Sequence, residues 1–218
     1  MPPRPVLLRR LPRLLVGLAM FGAGLALMVA ARLGLGPWMV LNEGISRHTG
    51  IPIGTAGIGV GLMVLALWLP LGQRFGIGTV LNVTIVGVCV DLTLLALPDL
   101  GVTAVRWTAV VGGIVLVGVG TGLYLGTGLG PGPRDGLMTG LAERGLPIAV
   151  VRTGIEVTVL TAGWLLGGTV GVGTLLFALG IGPLVALSLR VLAVDPLAAA
   201  LTKPGSRRTR VPLSDTSR

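Results

Sequence analysis

Long uncharged apolar runs alternate along this chain with short polar breaks. Residues 14–31 and 51–71 carry no charge, 75–97 carry only Asp91, and 107–133 carry none. Residues 146–167 hold Arg152 and Glu156, and 170–192 hold only Arg190 near their end. A helix needs about 20 apolar residues to cross a hydrocarbon core of ~30 Å, so the pattern predicts six transmembrane helices. The breaks "LPLGQRFG", "ALPDLGV" and "LLGGTVGVG" are rich in Gly and Pro, which stop a helix and turn the chain. The first run follows Arg4, Arg9, Arg10 and Arg13 and ends in "VAA", as a signal peptide would. At 14–31 it is longer than the roughly 7–15 residues of a signal's apolar region, which favours a retained helix. Two further stretches, "WMVLNEGISRHTG" from Trp38 and "PRDGLMTGLAERG" from Pro133, are too polar to span. Each is expected as a short helix along the interface or as a re-entrant piece.

Both stretches follow the same turn. Gly34, Gly36 and Pro37 belong to "GLGP" at 34–37, and Gly128, Gly130 and Pro131 to "GLGP" at 128–131. Moved by 95 positions from Gly50 onward, the chain superposes Gly50 on Gly145, Pro52 on Pro147, Gly59 on Gly154 and "GIGT" at 76–79 on "GVGT" at 171–174. Thirteen of the 38 positions from 50 to 87 are identical. Apolar bias produces chance Val and Leu matches but not turn glycines and a proline in register, which is the mark of a duplication. Each copy, about 14–97 and about 107–192, holds three spans, and an odd number makes the second copy enter the membrane from the opposite face. The predicted fold is an all-α membrane protein: six transmembrane helices in two inverted three-helix repeats, with a short interfacial or re-entrant segment after each turn.

Composition agrees and adds a topology. The chain is 52% hydrophobic and 11% charged with a mean hydropathy of +0.92, whereas charged residues make up about a quarter of a soluble domain. Of its 17 Lys and Arg, thirteen fall on one side of the six spans: Arg4, Arg9, Arg10, Arg13, Arg74, Arg134, Arg144, Arg190, Lys203, Arg207, Arg208, Arg210 and Arg218. Only Arg32, Arg47 and Arg106 fall on the other. The positive-inside bias places both termini in the cytoplasm. Residues 1–13 form a basic N-terminus, and the Pro-, Ser- and Arg-rich tail at 193–218 is predicted to be disordered and drawn to anionic headgroups. The bilayer as partner thus accounts for the net charge of +9, and no nucleic acid is required.

The chemistry-bearing residues are few. Cys89 in "VGVCVDL" reads as a small buried apolar residue, and the single His48 as a loop residue, so neither a disulfide nor a metal cluster is available. Without a paired-carboxylate or Ser-His arrangement, no catalytic residue, metal or cofactor is expected, and the protein does not read as an enzyme. Gly118, Gly122 and Gly126 recur every fourth residue, and Gly22, Ala26 and Ala30 form a matching stripe. Small faces let helices approach closely in lipid, which predicts either internal packing or a homodimer contact.

Arg152 and Glu156 are four apart, hence on one helix face, at roughly 9 and 15 Å into the fifth span. A charge at such depth costs at least about 2.5 kcal/mol, so the pair must face protein or water. It is either a structural pair tying the span to the "PRDG" loop, or, with Asn82 on the third span, a site for a small molecule or ion. The first copy has Gly57 and Gly61 at the equivalent places, so any site is asymmetric. Arg134 and Asp135 are a candidate cytoplasmic gate, with Glu143 and Arg144 as closing partners. Asp91, opposite Ala186 in the repeat, is expected at the interface.

The stretches "GLGPW", "GLGPGPRDGLM" and "VRTGIEVTVLTAGWLLGGTVGVGT" resemble the YczE-type integral membrane proteins of bacteria, related to the YitT and YyaS groups, over residues 14 to about 192. Proteins of that type commonly carry Asp after the "PW", where this chain has Met39. The resemblance implies a multi-span bacterial membrane protein without a settled substrate. Two functions are expected from the residues: a small-molecule secondary carrier or exporter, built on the inverted repeats and midplane charge that alternating-access machines share, and an accessory protein binding partners through Gly-rich helix faces.

Overall fold

The computed structural model describes residues 4–73 and 75–193. Among them run α1 (Arg4–Ala31), α2 (Pro37–Thr49), α3 (Ile53–Leu71), α4 (Ile77–Ala96), α5 (Thr103–Leu125), α6 (Pro133–Ala142), α7 (Ile148–Leu165) and α8 (Val172–Leu192). Six of these, all but α2 and α6, are long and apolar enough to cross a membrane. The tail expected to be disordered lies, beyond Ala193, outside the described residues.

Two boundaries depart from the apolar runs. α1 begins at Arg4, ahead of the uncharged run, because its cations find carbonyls to bind. Arg10 Nη1 donates to Thr127 O at 2.8 Å, just past α5, and Arg13 donates to Leu192 O at the end of α8. Guanidinium groups at helix C-termini satisfy carbonyls that lack intrahelical partners and oppose the negative end of the helix dipole. The run 107–133 is not one helix: α5 ends at Leu125, and Gly128 (φ 66°) and Gly130 (φ 131°) turn the chain into α6. Only glycine enters those left-handed conformations without strain.

The contacts of this loop move the register expected for the repeat. Gly34 (φ 116°) approaches Gly171 and Thr174, while Gly130 approaches Gly76 and Thr79. Gly34 therefore matches Gly130 rather than Gly128, and Pro37 matches Pro133. The second turn carries an extra Gly-Pro, which moves the register by two. Each proline sits in the first turn of its short helix, where a missing N–H leaves no bond unmade.

α1 and α5 cross backbone to backbone at the centre. A Cβ at Gly17 would lie 2.8 Å from Gly120 O, and one at Gly120 would lie 2.6 Å from Gly17 O. Gly24 and Gly113 face each other in the same way, at 2.6 and 2.7 Å. α4 lies along α1 and α8 along α5. Gly22 meets Cys89 Cβ at 2.6 Å, whereas Gly118 meets Leu184 Cβ at 2.8 Å, Gly122 meets Ser188, and Gly126 meets Ala193 Cα at 2.9 Å. The glycine stripe of α5 thus packs against α8, within the chain.

The short helices pack on α3 and α7, and the loops leading into them reach across the two halves. Gly173 N–H donates to Leu33 O at 2.8 Å, and Gly78 N–H donates to Leu129 O at 2.9 Å. Each loop so holds the start of the last span of the opposite half.

Asp91 does more than sit at an interface. From α4 it accepts hydrogen bonds from Gly54 N–H (2.6 Å), Thr55 N–H (2.8 Å) and Thr55 Oγ1 (2.9 Å) at the start of α3. It supplies the carboxylate that the first turn of α3 lacks. Asp91→Ala is expected to cost about 2 kcal/mol of stability and Asp91→Asn less. Thermal unfolding in detergent, followed by a thiol-reactive dye on the sole cysteine, Cys89, will measure both. The counterpart in the second half is Ala186, and there α7 and α8 do not pack along their lengths as α3 and α4 do.

Candidate functional site: a cavity shared by both halves

A cavity of about 720 Å³ lies among the helices, and every one of the eight contributes to its wall. Its position follows from where the short helices begin. A Cβ on Gly36, the residue before α2, would lie 2.7 Å from the Phe177 ring, well inside α8. A Cβ on Gly132, the residue before α6, would lie 3.1 Å from the hydroxyl of Tyr124, near the end of α5, 3.4 Å from Asp135 Oδ2 and 3.7 Å from Nδ2 of Asn82, inside α4. Both short helices therefore start within the bundle and present their positive N-terminal ends to the cavity.

The charged groups gather on one wall. The Arg134 guanidinium carbon sits 5.0 Å from the centre of the Trp38 ring, a cation–π stack across the two halves. Asp135 takes a backbone hydrogen bond from Gly132, and the Tyr124 hydroxyl lies 3.5 Å from its Oδ2. Arg152 Nε donates to Glu156 Oε1 at 3.1 Å, and this pair on α7 lines the same cavity. Arg152 is close enough to interact with Asp135, and Glu156 with Arg134. The side chains of Arg152 and Glu156 are 57% and 36% exposed, so neither member of this pair on an apolar helix is enclosed by protein.

Elsewhere the lining is apolar, from Phe21, Leu25, Met39, Phe177, Ile181 and Val185. Asn82 and Thr121 are polar exceptions, and so is Asn42. It is 3% exposed, its Nδ2 reaches only Met39 Sδ at 3.6 Å, and its Oδ1 has no donor among the described residues.

The corrected register explains the asymmetry. It sets Trp38 opposite Arg134 and Met39 opposite Asp135, and the repeat of the later spans sets Phe177 opposite Asn82. At each of these places one half contributes a polar group and the other an apolar one. Met39 is the apolar counterpart of Asp135.

The structure brings Asn82, Arg134, Asp135, Arg152 and Glu156 to one cavity. It leaves Glu143 and Arg144 outside: Glu143 accepts from Gln73 Nε2 at 2.8 Å, and Arg144 donates to Pro70 O at 2.6 Å. Arg134 and Asp135 are thus wall residues of the cavity, not joined to those two at a surface gate. The remaining marked glycines and prolines, at 34–37, 118–126 and 128–131, shape turns and helix contacts. Sequence reasoning missed Trp38, Asn42 and Tyr124. Tyr124 is the chain's only tyrosine and stands in an otherwise apolar span, a signal that was available. Trp38 and Asn42 gave none, since their segment is mixed throughout.

Fold and cavity define a multi-pass membrane protein whose described residues form eight helices, six of them of spanning length, around a cavity with one charged wall. The chain belongs to the family of unknown function DUF6198, whose sequence model matches residues 8–190. It is similar to an uncharacterized protein of Haemophilus influenzae, 41% identical over 184 residues, which covers 84% of each chain. It is also similar to the uncharacterized membrane protein YczE of Bacillus subtilis, 34% identical over 176 residues, or 79% of this chain and 82% of that one. No solved structure matches it.

Proposed function

We propose that the protein is a small secondary carrier or exporter of the bacterial plasma membrane, with both termini in the cytoplasm. The observation that carries this reading is the cavity, to which both halves contribute a short helix that begins inside the bundle. Broken or half-length helices whose N-termini meet at a central site are the recurring parts of inverted-repeat carriers. Reciprocal contacts support the inversion. In the corrected register Gly17 corresponds to Gly113 and Gly24 to Gly120, and Gly17 meets Gly120 while Gly24 meets Gly113. A pseudo-two-fold axis in the membrane plane generates this pairing, because it exchanges equivalent residues across one interface. In the same reading α2 and α6 are re-entrant, entering from opposite faces. The clamped α3–α4 pair and the parted α7–α8 pair then correspond to one of two conformers that exchange roles. An accessory role through Gly-rich faces has less to stand on, since the α5 stripe is occupied by Leu184, Ser188 and Ala193.

Two-sided accessibility tests the carrier. In a Cys89→Ala background, single cysteines at Asn82 or Val185 probe the cavity, and those at Asp99 and Arg144 probe the outer and inner loops. A membrane-impermeant maleimide is applied to right-side-out and to inside-out vesicles. The expected result is labelling of Asp99Cys only from outside, of Arg144Cys only from inside, and of the cavity cysteines from both. Cavity labelling from a single side in both preparations would sink alternating access, and outside labelling at 144 would sink the topology.

A further inference from the structure

We infer that the cavity binds an amphiphile with a compact anionic headgroup and an acyl chain, admitted from the bilayer between α7 and α8. The inference rests on the carrier reading for its purpose but not for its chemistry.

The charged side chains lining the cavity, Arg134, Asp135, Arg152 and Glu156, sum to zero, so the unused donors of Arg134 are what select an anion. Arg152 and Glu156 neutralise each other at 3.1 Å, and Asp135 is engaged by Gly132 and faces the Tyr124 hydroxyl. Arg134 is different. Its guanidinium carbon lies over the Trp38 ring, 5.0 Å from the ring centre, and among the described residues no hydrogen bond or ion pair within 4.0 Å holds it. A cation–π contact occupies none of the guanidinium's N–H donors, which stay available to a carboxylate or phosphate. The N-terminal ends of α2 and α6 add partial positive charge to the same space, and α2 has no acid in its first turn. Asp135 answers the end of α6; among the described residues no side chain caps that of α2.

The remaining wall selects the chain. Phe21, Leu25, Met39, Phe177, Ile181 and Val185 form a surface that an anion alone leaves unused, and 720 Å³ far exceeds what a phosphate fills.

The opening selects the route. α3 and α4 are closed by Asp91 and by backbone contact between Gly54 and Gly87. At the matching place in the second half, Gly182 has nothing within 4 Å of a Cβ, while Gly87 touches Ile58. The cleft so formed lies between two spanning helices, and Glu156 on α7 and Gly182 on α8 both line the cavity behind it. It faces acyl chains along its length.

Tryptophan quenching by a brominated fatty acid tests all three points. The full-length protein in phosphatidylcholine nanodiscs is titrated with dibromostearate, with its uncharged glycerol ester, and with dibromostearate in the presence of oleate, acetate or inorganic phosphate. The acid is expected to quench saturably on top of the linear, collisional quenching of lipid-facing tryptophans, and the ester to give the linear part alone. Oleate should displace the acid, and acetate or phosphate should not. Trp38→Phe should remove the saturable part. Arg134→Gln should raise the half-saturating concentration about tenfold or more, and Arg134→Lys should raise it less. Saturable quenching by the ester, its survival in Trp38→Phe, or displacement by phosphate would each overturn the proposal. The comparison of acid with ester uses only the wild-type chain, so a variant that does not fold leaves the test intact. Failure here with two-sided labelling retained removes the amphiphile and keeps the carrier; the reverse outcome leaves a lipid-binding protein that does not alternate.

Discussion

Gly24→Leu and Gly120→Leu will each prevent the bundle from assembling at native stability, with a loss of about 3 kcal/mol or more. The Cβ alone would sit 2.6 Å from Gly113 O in the first case and 2.6 Å from Gly17 O in the second. Both obstacles are backbone, so no rotamer change makes room, and α1 must move off α5. That separation is costly because α1 and α5 carry the main seam of the core, with Leu14, Leu18, Met28, Val110 and Val117 fully or almost fully buried. In lipid, helices are held together by close packing rather than by exclusion of water, so a gap forfeits the dispersion contacts that define the interface. Gly112→Ala is the control. A Cβ there meets nothing within 4 Å, and alanine is the better helix former, so stability should be unchanged or higher. Dye-monitored unfolding at Cys89 reads both. Wild-type unfolding of Gly24→Leu would show that α1 and α5 do not cross as described.

Gly136→Ala is expected to be comparably damaging, by about 3 kcal/mol, through one side chain. A Cβ on Gly136 would overlap the indole of Trp68, a residue 1% exposed. That indole is held on two further sides. Its Nε1 donates to Pro133 O at 2.9 Å, and its ring stacks on Phe75 with centroids 5.5 Å apart. Displacing it leaves a buried N–H without an acceptor as well as a misfit. Because the obstacle is a side chain, a second change should relieve it. The double variant Gly136→Ala with Trp68→Leu should be more stable than the two single losses added together, a coupling expected only of residues in contact. Strict additivity in that cycle would separate α6 from α3.

The chain's own pattern was enough for the six spans and for the two short polar helices, because burial in hydrocarbon demands long apolar runs and intrahelical hydrogen bonds whatever the tertiary arrangement. It was enough, too, for the pairing of Arg152 with Glu156, since four residues on a helix bring any two side chains to one face. The like turns were visible, but by their contacts Gly34 resembles Gly130, two residues beyond Gly128. Apolar spans match one another at several registers, and only the contacts of Gly34 with Gly171 and of Gly130 with Gly76 discriminate.

The cavity was a tertiary matter. Nothing local sets Arg134 of one half on Trp38 of the other, or brings Asn82 and Tyr124 to the residue before α6. Those neighbours come from different helices, brought together by the glycine crossing of α1 and α5. Asp91 shows the same division in a single residue. Its place near the end of an apolar run is legible from hydropathy, whereas its task of closing α3 onto α4 exists only once the start of α3 has been packed against it. The sequence by itself therefore determined which segments enter the membrane and which charges are too deep to be idle. Only the tertiary structure decided which of them meet, because contact between helices depends on where the glycines allow backbones to touch, and hydropathy does not record that.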